Sequence, residues 1–400
     1  MQRSAMTGAP VHKLDLADDD VAAVPAETAT VVERLMLTNF RCYEQARIET
    51  GGSSAVLTGE NGAGKTNILE ALSLLTPGRG LRRAPLCDLV RRTGDRTATD
   101  WGVAARVSGP GGTVDLGTGV ERGGDKRNIH IDGQAQRGQS ALAEHLGAHW
   151  LTPAMDRLFV EGRSGRRRFL DRLVYGIDPA HAGRINAYEH ALRERARLLR
   201  DGGRDPSWLS ALEETMASKG VAVAAARIDL IARLAAYAGE TEGPFPAAAL
   251  SVVGDVEAWL VDSAALDAED RFRDALRQSR DHDAEAGGAS TGPHRSDFRV
   301  RHVASGQMAD LCSTGEQKAL LIAIVIGAAR MAASECGRLP MLLLDEITAH
   351  LDPARRDALF ALLRSLGAQI WITGTDADQF GGLRGHARFF EVSAAAVTPA

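Results

Sequence analysis

The sequence predicts an α/β protein. A mixed, mainly parallel sheet carries a phosphate-binding loop, and a mainly helical second domain is inserted into the chain. Three observations carry this reading. The apolar run Ala55-Val56-Leu57 leads into Gly59-Glu60-Asn61-Gly62-Ala63-Gly64-Lys65-Thr66, which opens a segment with Ile68, Leu69, Leu72 and Leu75 at helical spacing. A second wholly apolar run, Met341-Leu342-Leu343-Leu344, ends in Asp345-Glu346. Between them the pattern turns helical from about Arg166 to Arg280, with Trp208, Leu212 and Met216 recurring every four residues.

Taken in chain order, residues 1–30 carry Asp15, Asp18, Asp19 and Asp20 among small residues and read as a solvated, disordered tail. Val31 to Leu37 suits a strand, broken by Asn39-Phe40-Arg41, with a second strand from Tyr43 to Ile48. Ala55 to Thr58 is the strand that feeds the glycine-rich loop. From Thr99 to Asp132 short alternations and the pairs Gly111-Gly112 and Gly123-Gly124 predict antiparallel strands joined by tight turns. Two helices follow, separated by a turn at Gly202-Gly203-Arg204-Asp205-Pro206, and Ala284 to Gly288 reads as a flexible exit. Alternation returns at Phe298, Val300 and His302, a buried helix follows Ser313, and Ile370-Trp371-Ile372 is a further buried strand. The expected division is a split α/β domain over 31–155 and 291–392, with the helical insertion at 156–290.

The order strand, glycine-rich loop, helix is what a P-loop needs. The glycines let successive N–H groups turn toward an anion, and the helix N-terminus adds partial positive charge. Gly59, Glu60, Asn61, Gly62, Ala63, Gly64, Lys65, Thr66 and Asn67 are the candidate nucleotide-binding residues. Lysine is scarce here (five in 400 residues), so its presence in the slot that must reach phosphate oxygens is informative. Thr66 and Asp345 are the candidate Mg²⁺ ligands, the acid emerging at the carboxyl end of a buried strand. Glu346 is placed to orient or deprotonate a water. Ser313-Thr314-Gly315-Glu316-Gln317 has the spacing of a capping box, which needs only to start a helix. The same start is an anion site, useful if it closes over the nucleotide of a second copy in a two-fold sandwich. Asp352 then lies where such a dimer interface needs a carboxylate.

Bulk properties set the outer limits. A hydrophobic share of 44% with 25% charged residues is ordinary for a globular protein, and 400 residues imply two or three domains. The longest uncharged apolar run, Ala319 to Ala333, is short of a membrane span and reads as a core helix. Cys42, Cys87, Cys312 and Cys336 form no CxxC pair, which fits a reducing cytoplasm and no zinc site. The net charge of −5 argues against a uniformly basic nucleic-acid binder, not against a local basic surface.

Together these pieces resemble the ABC-type ATPase head, and more narrowly the RecF family of DNA-repair proteins. Leu37-Thr38-Asn39-Phe40-Arg41-Cys42-Tyr43 resembles the family's opening strand, and Gly59 to Asn67 with Ile68-Leu69-Glu70-Ala71 its P-loop and first helix. Arg166-Arg167-Arg168-Phe169-Leu170-Asp171 resembles its arginine-rich helix start. The specific matches are Thr291-Gly292-Pro293-His294-Arg295-Ser296-Asp297 and Ser313 to Lys318; Asp345-Glu346 and His350-Leu351-Asp352 complete the set. The resemblance implies a P-loop ABC-type head using ATP and Mg²⁺. It implies an ATP-dependent homodimer that binds duplex DNA near single-strand gaps, and action with RecR and RecO to load RecA.

The chain also departs from the family's pattern. Ala154 follows Pro153 where an acid is usual, and Arg163 stands where a proline is usual. No metal-sensing glutamine sits near Leu151-Thr152-Pro153, and Ile372-Thr373-Gly374-Thr375 replaces the switch histidine, leaving Thr375 as the catalytic candidate at that place. Both absences suggest slow hydrolysis; the competing readings are a nucleotide-gated DNA-binding module without turnover and a transport ATPase subunit. Arg79, Arg82, Arg83, Arg91 and Arg92 are the candidate DNA contacts, since the guanidinium fork suits phosphate. Arginine replaces lysine throughout this chain, so their clustering is partly compositional. A third cluster, Arg163 with Arg166, Arg167 and Arg168, is a candidate hinge between domains.

Overall fold

The computed structural model describes residues 29–400 except 95, 203–204, 240–242 and 350. The expected tail over 1–28, the Gly203-Arg204 part of the turn and His350 of the His350-Leu351-Asp352 match lie outside the described residues. Two six-stranded sheets dominate. One is antiparallel and joins Val31–Phe40, Tyr43–Glu49, Trp101–Gly109, Gly112–Val120, Asn128–Ile131 and Gln134–Ala135. The other is mainly parallel. Its strands run in the order Ala148–Leu151, Met341–Leu344, Ile370–Gly374, Ser54–Thr58, Ala387–Ser393 and Ala396–Pro399, only the last pair being antiparallel.

Period-two alternation explains how the parallel sheet is buried on both faces. Ala55, Leu57, Met341, Leu343 and Trp371 point to one side, where helix Lys65–Leu74 and the inner face of the antiparallel sheet cover them. Val56, Leu342, Leu344, Ile370 and Ile372 point to the other, against helices Thr314–Cys336 and Pro353–Leu366. The loop's helix is thus clamped between two sheets, which fixes where its N-terminus points. Helix Thr314–Cys336 extends beyond the run read from sequence. It is long and apolar enough to cross a membrane, but 72% of its apolar window is buried inside the protein, as a core helix requires.

The region between the two halves is helical over Arg163–Tyr175, Ala180–Arg200, Pro206–Ala238, Asp255–Asp262, Ala265–Gln278 and Arg280–Ala286. The 280–286 helix replaces much of the expected flexible exit. A strand, Ala248–Val253, was not foreseen; it pairs antiparallel with Asp297–His302, so the return strand has its partner inside the insertion. Strands Ala148–Leu151 and Ala387–Ser393 were also missed. The first strand runs through Asn39-Phe40 rather than breaking there, and turns at Arg41, where Asn39 and Arg41 hold positive φ of 49° and 54°.

Candidate nucleotide site

The glycine-rich loop is shaped by contacts that only glycine permits. Gly59 has φ 143°, and a Cβ there would stand 2.1 Å from the Val392 carbonyl oxygen. Gly64 has φ 117°, and its Cβ would meet the Tyr43 hydroxyl at 2.6 Å and the Cys42 sulfur at 2.8 Å. Gly62 has φ 84° and open space around it, consistent with close approach of a ligand. Lys65 is buried, and its Nζ donates to the carbonyls of Gly59 at 2.6 Å and Glu60 at 2.8 Å. Burial pulls its pKa down, partly offset by the nearby carboxylates of Glu346 and Asp345.

The two halves of the chain meet at Asp345. Thr66 Oγ1 donates to Asp345 Oδ1 at 2.9 Å, with Oδ2 at 3.1 Å. The Asp345 N–H donates to the Leu151 carbonyl at 2.8 Å, continuing the sheet ladder past the end of its strand. A threonine hydroxyl and a carboxylate at this separation are the hard oxygen donors that Mg²⁺ takes, so the residues present fit that ion. Glu346 has φ 49°, a left-handed conformation costing a non-glycine residue about 1 kcal/mol.

Thr373 holds that conformation, and sequence reasoning passed it over. Its strand lies between the P-loop strand and the strand ending in Asp345. The fully buried Thr373 hydroxyl donates to Asp345 Oδ1 at 2.8 Å and accepts from the Glu346 N–H at 2.9 Å. Thr375, the residue expected to replace the switch histidine, is exposed beyond the strand end. A threonine inside an otherwise wholly apolar strand was the available signal.

Ser313 to Gln317 sits at the start of the core helix as a complete capping box. The Ser313 hydroxyl accepts from Glu316 N at 3.3 Å, and the Glu316 carboxylate accepts from Ser313 N at 2.8 Å. Ser313 and Thr314 are exposed, whereas Gln317 is buried and donates to the Cys312 carbonyl. Asp352 is an N-cap too, accepting from Arg355 N at 2.9 Å at the start of helix Pro353–Leu366. Arg355 reaches toward Gly315, whose hypothetical Cβ would lie 3.3 Å from its Nη1. Leu311, beside this exposed turn, is 74% exposed. Lys318 is buried and donates to the Ala349 carbonyl at 2.7 Å, with Asp156 at 3.5 Å.

The five candidate DNA-contact arginines separate into two groups. Arg82 is committed to Glu70 and Asn67, Arg91 to Glu44 and Arg92 to Asp88. Arg41 grips Glu70 bidentately at 2.8 Å, so Glu70 ties the first strand to the loop's helix. Arg79 and Arg83 are exposed and have no carboxylate partner among the described residues. In the third cluster Arg166 pairs with Asp297 at 2.7 Å and Arg167 donates to the Ser296 carbonyl, joining the insertion's first helix to the return strand.

The Thr291–Asp297 segment packs inside the insertion rather than at the loop. Gly292 has φ 138°, and a Cβ there would fall 2.4 Å from the Tyr188 hydroxyl. His294 Nε2 lies 2.9 Å from the Ala289 carbonyl, which can only accept, so Nε2 carries the proton and Nδ1 accepts from the Tyr188 hydroxyl at 2.6 Å. Burial pushes the pKa of this histidine down to about 4. Arg227, buried, grips Asp171 with two bonds and donates to the Pro293 carbonyl at 2.7 Å.

Comparison with known proteins agrees with this architecture. The model of the RecF/RecN/SMC N terminal domain matches residues 31–396. A DNA replication and repair protein RecF of Mesorhizobium japonicum is 50% identical over 380 residues, which are 94% of this chain and 99% of that protein. The protein of the same name from Rhizobium rhizogenes is 46% identical over 92% of this chain and 98% of its own. A solved structure of the recombination mediator protein RecF-ATPrS in the RecFOR pathway superposes with a TM-score of 0.81, covering 92% of this chain and 98% of that one at 22% identity, a likeness of fold. On the family match and on the identity to these relatives over nearly their whole length, the chain belongs to the RecF family of DNA replication and repair proteins.

Proposed function

We propose that this chain is an ATP-dependent DNA-binding protein of recombinational repair and replication, closing as a homodimer on ATP and opening on slow hydrolysis. The observation that carries the reading is the Thr66–Asp345–Thr373 network, which draws the phosphate loop and the acid pair together across 279 residues of sequence. Gly59 to Asn67 would hold the triphosphate, with Lys65 turning from its own loop carbonyls to the phosphate oxygens. Thr66 and Asp345 would hold Mg²⁺. Bound there, ATP supplies the phosphoanhydride to be hydrolysed, and Mg²⁺ neutralises charge on its oxygens. Glu346 accepts the proton of a water and Thr373 keeps that carboxylate aimed. Ser313 and the Thr314 and Gly315 N–H groups would seal the nucleotide of the second copy. The exposed Leu311 supports that face as an interface, and Asp352 would serve there through the helix it caps.

The proposed setting is cytoplasmic, with DNA at gapped duplexes as the polymer partner and RecO and RecR as the proteins with which it assists RecA loading; all four cysteines are free. The relatives' names, which say DNA replication and repair, and the names of the solved RecF structures, which say recombination mediator in the RecFOR pathway, support the repair role within this setting. Sedimentation with and without ATP tests the core of the reading, because a ligand that adds free energy only to the closed dimer must shift the monomer fraction. Equal monomer fractions in both conditions would refute the two-fold sandwich. Single-turnover hydrolysis with DNA then separates an ATPase from a nucleotide-gated module.

A further inference from the structure

We propose that the cleft between the 77–83 loop and helix Arg163–Tyr175 is a site for a backbone phosphate of nucleic acid, built by Arg79, Arg83, Arg168 and Arg172. This rests on the DNA-binding reading above and places one contact surface within it. The cleft has a volume of about 260 Å³ and takes arginines from both of its walls.

Arg168 and Arg172 are one helical turn apart and share a face of the helix. Arg172 is the unusual one. Its guanidinium lies 4.4 Å from the Trp150 ring centroid and 5.1 Å from that of Phe169, and donates to the Trp150 carbonyl at 3.1 Å. Its buried Nε has no hydrogen-bond partner, and no carboxylate pairs with it among the described residues. Burial pushes its pKa down to about 9, with no anion to offset the desolvation. A desolvated charge of this kind is costly until an anion joins it.

The facing loop is held ready. Arg127 donates to the Gly78 carbonyl at 2.6 Å, and Leu81 N donates to Ser73 Oγ at 2.7 Å. Arg83 keeps φ at 55°, a conformation rare for a residue with a side chain and retained where surroundings over-determine it. The acids nearby do not cancel the charge. Asp171 is committed to Arg227 and His181, and Glu161 sits exposed on the rim beside Arg157. The neighbouring Arg91 and Arg92 each have a carboxylate and Arg82 shares Glu70 with Arg41, so the guanidinium groups of this region that have no carboxylate at all among the described residues are those of the cleft.

The test is a salt titration of binding to a gapped DNA duplex by fluorescence anisotropy, with the full chain and ATP. Arg83→Glu and Arg168→Glu change exposed side chains, and Arg106→Glu, in the antiparallel sheet and paired with Asp115 at 3.0 Å, is the control. Each cleft variant is expected to bind about tenfold more weakly near 0.1 M salt and to lower the slope of log affinity against log salt by about one. The control should shift neither the slope nor the affinity by more than about twofold. Cleft variants that match wild type in affinity and slope, while wild type binds DNA, overturn the cleft and leave the functional reading intact. Wild type that binds no DNA at low salt overturns both. With the glycine-rich loop filled by ATP, inorganic phosphate at millimolar concentration should raise the melting temperature of wild type and not of the Arg83→Glu/Arg168→Glu double variant; a rise of that kind without DNA binding would assign the cleft to a free anion and overturn the nucleic-acid source.

Discussion

Replacing Thr373 by valine removes one buried hydroxyl and nothing else of comparable size. Two bonds go with it: a donor to the Asp345 carboxylate at 2.8 Å and an acceptor for the Glu346 N–H at 2.9 Å. The bond to a charged group is worth about 1.5–3 kcal/mol, and an orphaned N–H costs about 1–3 kcal/mol. Because both losses fall on one side chain they overlap, and a total near 3 kcal/mol is the expected destabilisation, read as a lower urea midpoint at unchanged m-value. Glu346, already in the left-handed region, then loses the contact that holds it there. If about 2 kcal/mol of that loss is felt in the transition state, single-turnover hydrolysis slows about 30-fold. The apparent affinity for ATP should stay within about twofold, because Lys65 and the loop N–H groups are untouched. Thr373→Ser keeps the hydroxyl and should restore most of the rate. Valine that lowers the urea midpoint but hydrolyses ATP like wild type would reduce Thr373 to a structural role, and Thr375→Val slowing hydrolysis equally would return the part to Thr375.

Other perturbations follow from the same geometry. Lys65→Ala removes the one buried cation at the loop, and should abolish ATP-dependent dimerisation in sedimentation while leaving far-ultraviolet circular dichroism unchanged. Glu346→Gln keeps the shape of the side chain without its basicity, so a DNA-bound dimer should persist after ATP addition, seen as slow dissociation in anisotropy. Ser313→Ala should cost about 1 kcal/mol of stability as a lost cap and, separately, weaken dimerisation more than ATP binding by the monomer. The His294 environment makes stability fall with acid. Its folded pKa of about 4 lies below the ordinary 6.5, so the unfolded chain takes up the proton first and stability is complete only above about pH 6.5. Between pH 6.5 and 5 this one group should cost about 2 kcal/mol in urea unfolding. His294→Gln should about halve that part of the profile, because His149, buried with its pKa pushed down to about 3, contributes an equal slope over the same window.

What was legible in the sequence was local. The glycine positions of the loop, the apolar strands and the capping box each answer to constraints a few residues long, and they stand where spacing put them. Strand Ala248–Val253 was hidden because its alanines and serine suit helix as well as strand; the partner 297–302, reached only through the fold, decides the matter. Thr373 was hidden for a related reason. Its significance depends on its strand lying between the strand that feeds the loop and the strand that precedes Asp345, which brings together Thr66 and Asp345, 279 residues apart along the chain.

The arginines show the same limit from the side of charge. Sequence can count Arg79, Arg82, Arg83, Arg91 and Arg92, but affinity for an anion depends on which of them the fold has already neutralised. Arg91 meets Glu44 across a turn from another strand, and Arg92 meets Asp88 four residues back. Such pairs are worth little to stability at an exposed site, yet each cancels a charge that would otherwise attract phosphate. A guanidinium without a carboxylate is therefore more informative than a cluster of them. By that measure Arg172, sandwiched between Trp150 and Phe169 with an unpartnered Nε, marks the surface more clearly than the runs of arginine after the loop's helix. Its own replacement by methionine sharpens the point: filling the aromatic sandwich with an apolar chain should hold or raise the urea midpoint, since a buried unpaired charge is removed, while DNA affinity falls. Lower stability together with unchanged DNA affinity would show instead that Arg172 is a packing element, held by its stacking on the two rings and by its bond to the Trp150 carbonyl.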